Sequence, residues 1–230
     1  METGAQADTA SCGGKGQAGY HERVKAENLA RIICAARDLF LEQGYDRSSL
    51  AQIARRAGVS TGTLFKRYPS KIDLFKAVAA QQWQLDVQYA EPPVPGDPQD
   101  GLTRIGRDYA CLLGRPGTAA LCRLVITELP RLPELAESVG TGFATDRGPF
   151  FERLRTYLEA EVEAGTLDFH TADGRDLTPT EVAQQFLAMI GGQLLWPQLV
   201  QNDFIPPGPT ETTVVDEAVT LMVTRYGTAH

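Results

Sequence analysis

The chain has 230 residues, of which 43% are hydrophobic and 22% charged, and a formal net charge of −7. Those fractions are near globular averages and exclude a mostly disordered chain. The longest apolar run, Phe186 to Trp196, is eleven residues long and contains Gln193, well short of the roughly 20 that a membrane span needs. Met1 to Gly19 holds no apolar stretch of the signal-peptide kind, so a cytoplasmic protein with no membrane partner is expected.

The net charge taken whole argues against nucleic acid as a partner, but its distribution does not. Residues 20–89 carry eleven bases and seven acids, net +4, whereas residues 90–230 carry ten bases and twenty acids, net −10. A basic front on an acidic body implies two jobs.

Residues 1–19 read as a flexible tail, because Gly4, Gly13, Gly14, Gly16 and Gly19 have no apolar pattern between them. From Tyr20 the pattern becomes helical. Leu29, Ile32, Ile33, Ala36, Leu39 and Phe40 recur on one face, with Arg31, Arg37, Asp38 and Glu42 opposite. Gly44 stands where a helix ends. Ser49 and Gln52 form a capping-box pair for a short helix with Leu50, Ile53, Ala54 and Ala57 as its buried stripe. Gly58 breaks that helix, and Ser60 caps a third, running from Thr61 to Tyr68. Pro69 stops it, since proline lacks the donor and disfavours helix in the residue before it. Ser70 caps a fourth helix, extending to about Tyr89.

Four prolines within residues 92–98 then form the strongest break in the chain. Beyond it, helical patterns cover about 100–114, 118–129, 146–164, 179–200 and 211–226. Strand-like alternation is scarce, so the fold class is all-α. Three segments follow: a tail (1–19), a basic three-helix unit (20–76) and a longer, acidic all-helical unit (77–230).

The second and third helices, with their tight turn at Gly58-Val59-Ser60, make a helix-turn-helix that can lay its second helix in a major groove. Residues 29–76 resemble the DNA-binding domain of the tetracycline-repressor (TetR) family. The resemblance rests on Leu-Ala-Arg-Ile-Ile-Cys-Ala-Ala-Arg-Asp-Leu-Phe from Leu29, Gly44-Tyr45-Asp46, Ile53 through Phe65, and Pro69-Ser70-Lys71-Ile72-Asp73-Leu74-Phe75. It implies a dimeric transcriptional regulator, usually a repressor. Such a regulator binds a double-stranded DNA operator and is released by a small-molecule effector, here unidentified. No cofactor or metal is expected.

Carried over position by position, the resemblance puts Thr61, Gly62 and Thr63 at the groove, with Lys66 and Arg67 on the next turn. It gives Ser48 or Ser49 a phosphate at the start of the second helix, and has Lys71 clamp another. The family usually has a tyrosine where Phe65 stands, so one phosphate-bonding hydroxyl is missing. Arg67 can replace it with a charge-assisted contact. Tyr68 reads as core with a polar tip.

In the second half, Trp83, Tyr109, Leu113, Phe143, Phe150, Tyr157 and Trp196 are candidates to line an apolar effector pocket. The 179–200 segment carries two apolar stripes, and a helix with two apolar faces must bury both. Phe186, Met189 and Gly192, with Val215, Val219 and Met222 of the last helix, are therefore expected at a homodimer interface. An enzyme is not expected, because no Gly-rich phosphate loop, GxSxG elbow or His pair is present. Cys12, Cys34, Cys111 and Cys122 share no CxxC spacing and read as small hydrophobes.

Overall fold

The computed structural model describes residues 14–82, 93–132, 149–170, 174–201 and 210–228. Among them are ten helices: α1 (Gly14–Gln43), α2 (Leu50–Ala57), α3 (Thr61–Arg67), α4 (Lys71–Gln82), α5 (Pro98–Leu113), α6 (Thr118–Glu128), α7 (Pro149–Glu163), α8 (Pro179–Leu194), α9 (Trp196–Val200) and α10 (Glu211–Tyr226). The only extended pairings among the described residues are two isolated bridges, Leu167 with Gly227 and His170 with Asp176. The chain divides into two compact units after Leu74.

Two boundaries differ from those expected of the sequence. α1 begins at Gly14, inside the stretch expected as tail. Extending a formed helix costs little per residue, so it can run past its last apolar contact. The 179–200 helix is two helices, because Pro197 has no N–H to continue the ladder and the chain restarts at Trp196.

In the first unit, Ile32, Ala36, Leu39 and Phe40 of α1 are buried with Ile53, Ala54 and Ala57 of α2 and Leu64 of α3. The turns are set locally. The Ser49 hydroxyl accepts from Gln52 N–H while the Gln52 side chain accepts from Ser49 N–H, completing the capping box. Gly58 closes α2 at φ 65°, a left-handed conformation that only glycine adopts without penalty. Ser60 then accepts from Thr63 N–H at 3.0 Å and opens α3.

In the second unit, α5 runs through the core, with Leu102, Ile105, Leu112 and Leu113 buried. Close approach of its neighbours depends on small residues. A Cβ at Gly106 would lie 2.7 Å from Val215 and 3.1 Å from Phe186. At Gly101 a Cβ would come within 1.9 Å of the Tyr157 hydroxyl. That phenol cannot swing away freely, because its one proton is shared between the Glu161 carboxylate and, at 3.1 Å, the Asp97 carbonyl. Gly101→Ala is therefore expected to lower stability by about 1–3 kcal/mol through overpacking, read as a lower thermal midpoint. An unchanged midpoint would show that Tyr157 is not held in place.

Candidate nucleic-acid interface

On α3, Leu64 faces the core while Thr61, Gly62, Thr63, Phe65, Lys66 and Arg67 are all exposed. This follows from helical spacing, since a seven-residue helix with one buried residue presents every other side chain outward. Phe65 is 46% exposed, an apolar ring left on a surface otherwise polar and basic. The Thr63 hydroxyl lies 2.8 Å from that of Ser60, so the cap fixes the orientation of a side chain at the tip of the helix.

Two expected contact residues, Ser48 and Lys71, are placed differently, and Tyr68 is the core ring expected of it. Ser48 is buried, and its hydroxyl donates to the Tyr45 carbonyl at 2.6 Å. It closes the turn between α1 and α2 and does not present to solvent, so of the two serines only Ser49 is exposed. Tyr68 is 9% exposed, and burial holds its phenol above the usual range, as befits a core ring with a polar tip. Lys71 is not extended toward solvent. Its ammonium donates to the carbonyls of Tyr45 at 2.7 Å, Asp46 at 3.2 Å and Ser48 at 3.1 Å. The charge also sits 4.2 Å from the centre of the Tyr45 ring. An ammonium has three protons, and three carbonyls take them. Lys71 therefore braces the α1–α2 turn. Arg56 is likewise engaged, in a two-pronged pair with Glu42 of α1 at 2.5 and 2.6 Å. The Arg56 guanidinium, bonded to it, holds the Glu42 carboxyl below the usual range.

The second unit rearranges the remaining expectations. Phe186, Val215 and Val219 are completely buried and Met222 is 3% exposed, so these four belong to the protomer's own core and not to a partner interface. The two apolar stripes of α8 merge into one buried face, Val182, Ala183, Phe186, Ile190 and Leu194. Met189 is half-buried and Gly192 exposed.

Of the pocket candidates, Trp83 and Phe143 lie outside the described residues. Tyr109 stacks on Phe150, ring centres 5.3 Å apart, and Leu113 is buried beside them in the same core. The Tyr109 hydroxyl lies against Gly191, and burial pushes its pKa up to about 12. Tyr157 is separately anchored by Glu161 and Asp97. Trp196 is 64% exposed, so it lines no enclosed cavity, because the helix restart at Pro197 leaves its ring outside. Cys34 and Cys111 are also exposed, against the expectation for small hydrophobes, whereas Cys122 is buried. Burial pushes the Cys122 thiol up to about 12.

Residues 32–78 match the family of bacterial regulatory proteins, tetR family, and residues 100–228 match that of the AefR-like transcriptional repressor, C-terminal domain. The chain belongs to the TetR family. An uncharacterized HTH-type transcriptional regulator of Mycobacterium tuberculosis is 26% identical over 197 residues, 84% of this chain and 87% of that one. The structure of the flavonoid-responsive regulator FrrA is similar at a TM-score of 0.66 and 26% identity, covering 89% of this chain and all of that one. A TetR-family regulator from Pseudomonas syringae shares the fold, with a TM-score of 0.65 at 22% identity, covering 87% of this chain and 97% of its own. The chain is thus a DNA-binding transcriptional regulator and not an enzyme. No described helix is long and apolar enough to cross a membrane.

Proposed function

We propose that this TetR-family regulator is a homodimeric repressor that leaves a palindromic operator when a small molecule binds its second unit. The observation that carries the reading is the outer surface of α3. Thr61, Gly62 and Thr63 lead its first turn, and Lys66 and Arg67 follow on the next, all exposed around a single buried Leu64. That arrangement suits a helix whose first turn meets base edges while its bases meet phosphates.

A dimer supplies the two recognition helices that an inverted repeat requires. With Phe186 and Val215 in the core, the surface left for a partner is the exposed line of Ala188 and Gly192 on α8, with Trp196 beyond it and Leu221 of α10. α8 and α10 pack on each other, and the Ala188–Gly192 spacing permits close helix approach. Effector release is supported by the flavonoid response named for FrrA.

Selection of bound DNA from a random pool is expected to enrich an inverted repeat, with affinity falling steeply as salt rises because phosphate contacts release counterions. A thermal-shift screen then identifies compounds that bind the native state. The effector among them lowers operator occupancy and raises reporter transcription. No enrichment and no binding at low salt would sink the reading. A binder that raises occupancy would sink its repressor part.

A further inference from the structure

α3 buries Leu64 and leaves its other six residues exposed. Successive helical residues turn by about 100°. Gly62 and Lys66 therefore stand on the side of the helix opposite Leu64, with Phe65 on one flank and Thr63 and Arg67 on the other. Two of these residues are unaccounted for by the packing of the chain itself.

Phe65 is the first. It is 46% exposed, so its ring forgoes much of the burial that makes a phenylalanine stabilising. A helical side chain leans back over the preceding turn, which here holds Thr61 and Gly62. Gly62 is the second. Glycine inside a helix is unfavourable relative to alanine, and it is tolerated where the backbone needs a positive φ or where a neighbour leaves no room for a Cβ. Neither reason holds. Gly62 has helical backbone, and a Cβ there would meet nothing nearer than the Ser60 hydroxyl at 3.9 Å. The missing side chain leaves a notch beside an exposed aromatic ring, three residues away on the same surface.

What fills the notch is decided by its surroundings. Lys66 borders it on the outward side and Arg67 lies on the far flank, so a polyanion is drawn to this face. The Phe65 ring has no hydrogen-bonding group, so it cannot anchor a phosphate or bond to a base edge. The group in the major groove that an apolar side chain recognises is the C5 methyl of thymine.

We propose that Phe65 and Gly62 together read a thymine in each operator half-site. The methyl packs on the Phe65 ring, and the notch at Gly62 lets the helix come close enough for that contact. The inference rests on the operator reading above and adds a base identity to it. Phe65 then serves specificity, and phosphate anchoring falls to the neighbouring bases.

The test uses duplexes carrying the selected inverted repeat, with each thymine in turn replaced in both half-sites by deoxyuridine, which lacks only the C5 methyl. Fluorescence anisotropy at fixed salt gives the affinity of the full-length protein. At one position deoxyuridine is expected to weaken wild-type binding about fourfold per half-site, the loss of one buried methyl. Phe65→Ala is expected to bind the thymine and deoxyuridine duplexes alike at that position, whereas Phe65→Tyr keeps the ring and the preference. Gly62→Ala is expected to melt no lower than the wild type, since a Cβ has room and alanine favours helix, and yet to bind more weakly and lose most of the preference. A merely structural role for either residue would leave the ratio of thymine to deoxyuridine affinities unmoved. The proposal is overturned if no deoxyuridine duplex binds the wild type more weakly, if Phe65→Ala keeps the full preference, or if Gly62→Ala binds DNA as the wild type does. An enriched repeat that is insensitive to deoxyuridine strikes this inference and leaves the operator reading standing, whereas the absence of any enriched repeat strikes both.

Discussion

Phe186→Ala is expected to destabilise the second unit by about 3–5 kcal/mol, equally at low and high protein concentration. The ring is completely buried, and its tip lies 3.1 Å from where a Cβ on Gly106 would stand, with Val215 2.7 Å from the same point. α5, α8 and α10 therefore meet around this side chain. Alanine would leave a cavity there, and the close-packed helices around it can collapse only in part. An interface residue behaves otherwise, because its truncation weakens association and its cost grows where subunits are in equilibrium. Urea denaturation at two concentrations a hundredfold apart separates the two cases. A loss of less than about 1 kcal/mol in dilute protein, rising with concentration, would return Phe186 to the dimer surface.

What can be read from the chain, and what cannot, divides by distance along it. Caps and breaks are interactions among residues three or four apart. Ser49 with Gln52, Ser60 with Thr63, and Thr178 with Glu181 at the start of α8 pair as their spacing dictates. Gly58 sits at positive φ where the helix-turn-helix must reverse. These local devices, with the prolines, set the order of the helices. The exposed surface of α3 follows from its motif. Orientation of the later helices does not, because α8 offers two apolar stripes and a stripe says only that something covers it. The partners of α8 come from α5, α7 and α10, and these share out its surface so that Phe186 turns inward and Ala188 outward. Lys71 departs from expectation for the same reason. Its carbonyl partners are 23 to 26 residues away, and a lysine near a basic cluster carries no local mark of such a bond. The pairing of Arg153 with Asp108 has no sequence signal at all, since the two lie 45 residues apart.

The bases of the first unit should accordingly split into two kinds when replaced. Lys66→Ala and Arg67→Ala are expected to leave folding nearly untouched, because both side chains are exposed. Each should weaken operator binding, and each phosphate left without its cation should flatten the salt dependence by about one unit of slope. Thr63→Ala should shift base preference, since its hydroxyl is oriented by Ser60 at the tip of the helix. Lys71→Ala should behave unlike any of these. It strips the donor from the carbonyls of Tyr45, Asp46 and Ser48 at once and removes the cation from the Tyr45 ring. The expected cost is about 1–3 kcal/mol in stability of the first unit. Below the melting temperature, the folded fraction should bind DNA with the wild-type salt slope. The turn that Lys71 braces sets the register of α2 against α1, so heating should abolish DNA binding in this variant several degrees before the wild type. Should Lys71→Ala melt like the wild type and lose a unit of salt slope, its ammonium reaches a phosphate in the complex and the brace gives way on binding.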